Sequence, residues 1–200
     1  MIRAVCAIAL AGIAVATVPL AHSRQDKIDI TAFAVNMSNI GTGRSTVVEI
    51  RIDRWSTPDE RAHLITTMVE KNADALVREL QKTPSHGRFS IPGLQGPDPH
   101  NLRLGYDLHY AWQTTLPDGG RRIVIATDRY IGFEEARNQP RTIDYPFTLF
   151  EIRVDKSGQG QGKMAVATKI SFDKKKDVIE LENYSSEPVR LNNVTVKPRT

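Results

Sequence analysis

The residues best suited to chemistry lie on the polar side of a strongly alternating stretch. Asp107 and His109 are two positions apart, so in a β-strand they point to the same side, with Arg103 further along. An Asp-x-His pair can supply two metal ligands or an oriented general base. Such pairs are also common on solvated sheet faces, and nothing in the sequence fixes further ligands beside them. We therefore predict no metal and no cofactor.

A second group of candidates lies in a long irregular segment, residues 128–146, between two predicted strands. Connections of this length in compact domains are often functional. Guanidinium groups can hold a carboxylate or phosphate through paired hydrogen bonds, and aromatic rings can stack on a planar ligand. In the alternative interpretation, the arginines pair with acidic residues of the same segment and fasten it to the sheet. The candidate ligand-binding residues are Arg129, Tyr130, Arg137, Asn138, Arg141, Asp144 and Tyr145.

No familiar catalytic motif accompanies either group. The chain has no G-x-S-x-G nucleophile turn, no H-E-x-x-H metal motif, no phosphate-binding glycine loop and no dinucleotide fingerprint. Its 27 Lys and Arg are interspersed with 23 Asp and Glu, without the broad basic stripe of a nucleic-acid-binding surface. The sequence thus favours a non-enzymatic binding or accessory protein whose partner is a small anionic ligand or an envelope protein. A hydrolase or metal-dependent enzyme using Asp107 and His109 is one alternative, and a structural envelope component is another.

The first residues are typical of a secretory signal peptide. Met1-Ile2-Arg3 gives a positive start, residues 4–18 are mostly apolar, and Ala21-His22-Ser23 offers a cleavage site. Cleavage after Ser23 leaves residues 24–200 as one domain without a transmembrane segment. The single cysteine, Cys6, lies in the signal, so the mature chain contains no disulfide. We expect a secreted or periplasmic protein of a bacterium.

The remaining pattern predicts an α+β domain. Thr57-Pro58-Asp59-Glu60 predicts a helix N-terminus, and apolar residues recur at helical spacing up to Thr83, with a break near Asn72. Alternating segments before and after it indicate strands. In the clearest of these, Leu102 to Trp112, we expect all the large apolar side chains on one face. Short connections favour a curled antiparallel meander of about eight strands packed with the helical segment. A closed β-barrel with a helical insertion is the alternative.

Four short segments carry a resemblance to a family. They are Ala126-Thr127-Asp128-Arg129, Asn138-Gln139-Pro140-Arg141, Asp144-Tyr145-Pro146-Phe147-Thr148-Leu149 and Ala167-Thr168-Lys169-Ile170. With these segments the chain resembles a group of uncharacterised bacterial proteins that carry signal peptides. The resemblance implies export and a bacterial source, and it transfers no catalytic residue because no activity is established for that group.

Overall fold

The computed structural model describes residues 27–35, 45–71, 73–92, 105–129, 131, 147–165, 168–176, 178–183 and 189–199. Within these ranges the chain forms strands and a pair of helices. In chain order they are β1 (Ile28–Val35), β2 (Ser45–Ile52), α1 (Pro58–Glu70), α2 (Ala73–Lys82), β3 (Gly87–Ser90), β4 (Gly105–Thr115), β5 (Arg121–Thr127), β6 (Leu149–Val154), β7 (Gln159–Ala165), β8 (Thr168–Asp173), β9 (Val178–Asn183) and β10 (Val189–Pro198).

Eight of the strands form a closed antiparallel barrel. Its order around the ring is β1-β10-β7-β6-β5-β4-β3-β2, and the pairing of β1 with both β2 and β10 closes it. The strands β8 and β9 form a separate hairpin between β7 and β10. The predicted antiparallel meander with a helical segment is confirmed, and the sheet takes the closed form that was the alternative.

The inside of the barrel is filled by apolar side chains. Phe89, Leu108, Ile125 and Phe150 are fully buried in this cluster. They come from strands whose alternate residues point inward, as expected where one face of a sheet must be kept from water. The described interior of the barrel is therefore a packed apolar core.

The helices cover part of the outside of the barrel. Thr57 accepts a hydrogen bond from the Glu60 N–H at 3.2 Å, and the Glu60 carboxylate accepts one from the Thr57 N–H at 2.8 Å. This reciprocal cap starts α1 at Pro58, as predicted. Leu76 and Leu80 of α2 pack with outward-facing residues of β4, β5 and β6 in a second apolar cluster. The helical connection from β2 to β3 thus buries the outer surface of these strands.

The strand β4 departs from the predicted alternation. Its register against β5 shifts between Leu108 and Tyr110, because Leu108 lies opposite Thr127 and Tyr110 opposite Ala126. This β-bulge inserts His109 as an extra residue and exchanges the two faces beyond it. Leu108 consequently points into the barrel, whereas Tyr110 packs beneath the helices. The expectation that all large apolar residues of this strand share one face is wrong for that reason.

The barrel has two unlike ends. At one end, which we call the rim, the register pairs are Val35 with Ser45, Ser90 with Gly105, Ala126 with Leu149, and Met164 with Val189. The connections 36–44, 91–104, 128–148 and 166–188 all leave from the rim. The opposite end carries the helical connection and the short turns 116–120 and 155–158. The segment of candidate residues therefore begins and ends at the rim.

Candidate functional site

Two buried threonines fasten the start and end of segment 128–148. The Thr148 N–H donates to Thr127 Oγ1 at 3.1 Å, and the Thr127 N–H donates to the Thr148 carbonyl at 3.0 Å. Thr148 Oγ1 also accepts from the Ile131 N–H at 2.9 Å, and the Ile131 side chain is buried in the barrel core. These hydrogen bonds hold the chain at the rim immediately after β5. They fix Asp128 and Arg129 between Thr127 and Ile131, which are both bonded to Thr148.

Asp128 and Arg129 form a paired charge at this turn. Arg129 Nε lies 3.0 Å from Asp128 Oδ1, and Nη2 lies 3.3 Å from Oδ2. The Asp128 side chain is 9% exposed, whereas that of Arg129 is 64% exposed. Burial opposes ionisation of Asp128, but the hydrogen bond and charge of Arg129 outweigh it and lower the pKa of Asp128. The same pairing raises the pKa of Arg129. A buried carboxylate therefore holds an exposed, permanently charged guanidinium at the rim.

His109, the extra residue of the bulge, lies beside this pair. Its Nδ1 is 2.7 Å from the Thr83 carbonyl at the end of α2, and because a carbonyl only accepts, Nδ1 carries the hydrogen. Its Nε2 lies 3.8 Å from Asp128 Oδ1. The bulge thus aims the imidazole at Asp128, a use typical of bulges near functional sites.

The structure brings members of both candidate groups together. His109 contacts Thr83 and Asp128, while Asp107 is exposed and lies in register with Arg88 of β3. The negative charge of Asp107 contributes to the raised pKa of Arg129. The pairing of Arg129 with an acid of its own segment matches the alternative interpretation for that residue. The candidates outside the described residues are Arg103, Tyr130, Arg137, Asn138, Arg141, Asp144 and Tyr145.

A buried polar group that sequence reasoning missed lies just before the start of β3, beside β4. His86 Nδ1 lies 3.0 Å from the Pro84 carbonyl, which leaves Nε2 to accept from the Ser56 hydroxyl at 3.1 Å. Ser56 Oγ in turn accepts from the Ala111 N–H at 3.2 Å. Glu60, paired with Arg54, lies 3.6 Å from His86 Nε2. His86 stands thirty residues from Ser56, so no local spacing reveals the contact.

The Ser56–His86 contact resembles a nucleophile and its base, but it is enclosed. His86 is 0% exposed and Ser56 is 3% exposed, so a substrate has no access to the hydroxyl. The backbone is also closed around it, because the Ser56 N–H donates to the Ala111 carbonyl and the His86 N–H to the Leu108 carbonyl. We interpret the group as a buried hydrogen-bond cluster that holds the start of the helical connection against β3 and β4.

An apolar cleft between the helices and the barrel is a weaker candidate. Its empty volume is about 380 Å³, and its lining presents no polar surface to orient a ligand. The lining residues are Leu64, Ile65, Met68, Leu76, Leu80, Tyr110, Ala126, Phe147, Leu149 and Ile179. Among the described residues, no group of three or more His, Cys, Asp or Glu side chains is arranged to hold a metal ion.

The fold and site define a class: a packed eight-stranded antiparallel barrel with an Arg–Asp–His cluster at its rim. Comparison with protein-family models, with curated proteins and with solved structures finds no match. Neither helix in the described part of the chain is long and apolar enough to cross a membrane.

Proposed function

We propose that this chain is an exported, non-enzymatic binding protein that holds a small anionic ligand at the rim, with Arg129 as the anchoring cation. The observation that carries the proposal is a guanidinium that is 64% exposed and fixed by a carboxylate that is 9% exposed. Asp128 uses Nε and one Nη2 hydrogen of Arg129, which leaves the two Nη1 hydrogens and one Nη2 hydrogen outside this pair. A carboxylate or phosphate can accept these hydrogens without breaking the existing pair.

Two further features support a binding role. The described interior of the barrel is lined by apolar side chains, which offer an anion no hydrogen-bond donors. The long connections leave from the same end as Arg129, and such connections carry function more often than the scaffold does. His109 adds an imidazole 3.8 Å from the Asp128 carboxylate.

Replacing Arg129 by alanine should remove ligand binding, because these donors are lost. The measurement is native mass spectrometry of the mature protein recovered after export, which reports a retained ligand as excess mass. It is followed by titration with citrate and with inorganic phosphate as anion probes. We expect at least a tenfold loss of affinity, since a charged hydrogen bond contributes roughly 1.5–3 kcal/mol.

Arg121→Ala at the opposite end of β5 is the matched control, and it should bind like the native chain. If Arg129→Ala loses its fold because Asp128 is left unpaired, Arg129→Lys tests the proposal instead. This variant retains the charge but not the planar fork, so its affinity should also fall while the fold survives. Unchanged binding in Arg129→Lys and in any folded Arg129→Ala protein would refute the proposal.

Export predicts removal of residues 1–23. Cells that produce the full chain should yield a form beginning at Arg24 outside the inner membrane, because the apolar stretch is short and followed by a cleavage site. Intact mass spectrometry of the exported fraction identifies the new terminus. A control variant, Ile8→Arg, should stay unprocessed inside the cell. Recovery of the native chain with Met1 or Ile2 at its start would contradict the prediction.

A further inference from the structure

The outer wall of the barrel across β5, β6, β7 and β10 is rich in cations. Arg122 lies in register with Arg153, and Lys163 lies in register with Arg190, so two pairs of like charges stand directly opposite each other. Neighbouring strands are about 4.8 Å apart, and like charges at this separation destabilise a sheet. Arg153 is 64% exposed and Lys163 is 30% exposed, so both cations face solvent.

The Glu151 carboxylate lies within this cluster. Glu151 Oε1 accepts from Arg122 Nε at 2.8 Å and from Arg153 Nη2 at 3.1 Å, and Lys163 Nζ lies 3.4 Å from Oε2. One negative charge is thus shared by three cations, and Arg190 is a fourth, exposed cation beside them. The five residues named here, four cations and one carboxylate, therefore carry a net positive charge.

Exposed apolar side chains continue the same wall on β1 and β2. Arg190 lies in register with Val35, and two residues along β1 Phe33 lies opposite Val47. Phe33 is 39% exposed and Val47 is 43% exposed, and both belong to the small set of exposed large apolar residues in the described chain. A large apolar side chain next to a net positive surface is the composition of a protein face that meets a membrane interface.

We infer that this basic–apolar wall, formed by Arg153, Lys163, Arg190, Phe33 and Val47, docks on an anionic lipid surface. The cations complement the headgroup charge, and the apolar pair enters the interfacial region. A soluble polyanion would use the cations but leave Phe33 and Val47 unexplained. The convex outside of a barrel also forms no pocket for a small free anion.

The ring order places the centre of this wall away from the candidate binding site. In the ring β1-β10-β7-β6-β5-β4-β3-β2, β10 lies four places from β4, which carries His109, and three places from β5, which Asp128 follows. The edge of the wall is nearer, because β6, which carries Arg153, is next to β5. A barrel that rests on lipid through β7, β10 and β1 therefore presents the Arg129 side to solvent. Lipid docking and ligand binding at the rim are separable and can be tested independently.

The experiment is sedimentation of the mature chain with vesicles, starting from the form without residues 1–23. We expect binding to vesicles containing phosphatidylglycerol and little binding to pure phosphatidylcholine. The double variant Arg153→Gln/Arg190→Gln should lower partitioning roughly 30-fold, because each cation near an anionic surface contributes about a fivefold factor. Phe33→Thr should weaken binding several-fold, and Glu49→Gln, which removes a carboxylate two residues from Val47, should strengthen it.

The matched control is Arg51→Gln/Lys197→Gln. It removes two positive charges, as the test variant does, from exposed positions on the outside of the barrel. Both residues lie outside the basic–apolar wall, because they are in register with Asp29 at the other end of β1. This control should bind anionic vesicles nearly as well as the native chain. The inference falls if the native chain binds both vesicle types equally or neither, or if the two double variants lose binding to the same extent. Circular dichroism of each variant verifies that the fold is retained.

Discussion

Replacing Glu151 by alanine is expected to lower the free energy of unfolding by about 3–5 kcal/mol. Glu151 is 8% exposed and Arg122 is 10% exposed, so the substitution leaves a buried guanidinium without its carboxylate. Burial raises the pKa of Glu151, but the hydrogen bond and charge of Arg122, followed by the charges of Lys163 and Arg153, hold it below its usual value. Urea unfolding followed by circular dichroism measures the loss.

Two comparisons separate the charge effect from loss of packing. Glu49→Ala removes an exposed carboxylate from β2 and should change stability by less than about 0.5 kcal/mol. Arg122→Met/Glu151→Leu removes both buried charges and should be more stable than Glu151→Ala, because no uncompensated ion remains. A loss below about 1 kcal/mol in Glu151→Ala would contradict the prediction. It would mean that the Arg122 guanidinium is stable in the folded protein without the Glu151 carboxylate.

Acid should destabilise the protein through His86 in a defined pH window. Burial, followed by the charge of Arg54, lowers the pKa of His86 from 6.5 to about 4, although Glu60 opposes the shift. The unfolded chain therefore binds more protons than the folded chain between these values, and stability falls as the pH drops from 6.5 to 4. The full effect is about 3 kcal/mol, since one pKa unit corresponds to about 1.4 kcal/mol.

The measurement is the urea-unfolding free energy at a series of pH values from 7 to 4.5. The hydrogen bond from Arg54 lowers the pKa of Glu60 to about 2. The stability that Glu60 contributes is therefore lost only as the pH falls below about 4.5, outside this range. His86→Gln should flatten the profile even if the variant is less stable throughout. His63→Gln, a change at an exposed histidine of α1, should leave the decline in place. A decline of the same size in His86→Gln would assign it to other groups.

Local signals in the sequence predict the elements well. The Thr57 to Glu60 cap starts α1, the break near Asn72 separates α1 from α2, and Gly119 with φ +81° turns the chain between β4 and β5. Each signal acts through hydrogen bonds or backbone sterics within a few residues. The glycine-containing stretch from Gln159 is an exception. Its glycines are typical of a turn, yet it begins β7, where a Cβ at Gly160 would stand 1.9 Å from the Arg153 carbonyl oxygen.

Contacts between distant residues could not be predicted in the same way. Closure of the barrel depends on β1 pairing with β10, which joins Ile28 to Pro198 and has no short-range signature. From the sequence we identified His109 as a candidate and expected Asp107 to be its partner, because strict alternation places residues two apart on the same side of a strand. The bulge and the turn after β5 give it Asp128 instead. A one-residue insertion of this kind follows from the register between strands, and a single strand does not encode it.

Closure of the ring also limits how other chains can attach. An open sheet offers a free edge whose N–H and C=O groups can recruit an additional strand, and a closed barrel has none. Within the described strands, only β8 and β9 keep an unpaired side, because they form a two-stranded hairpin of their own. Among the described strands, another polypeptide can therefore add a strand only at this hairpin. Recognition anywhere on the eight-stranded ring must rely on side chains.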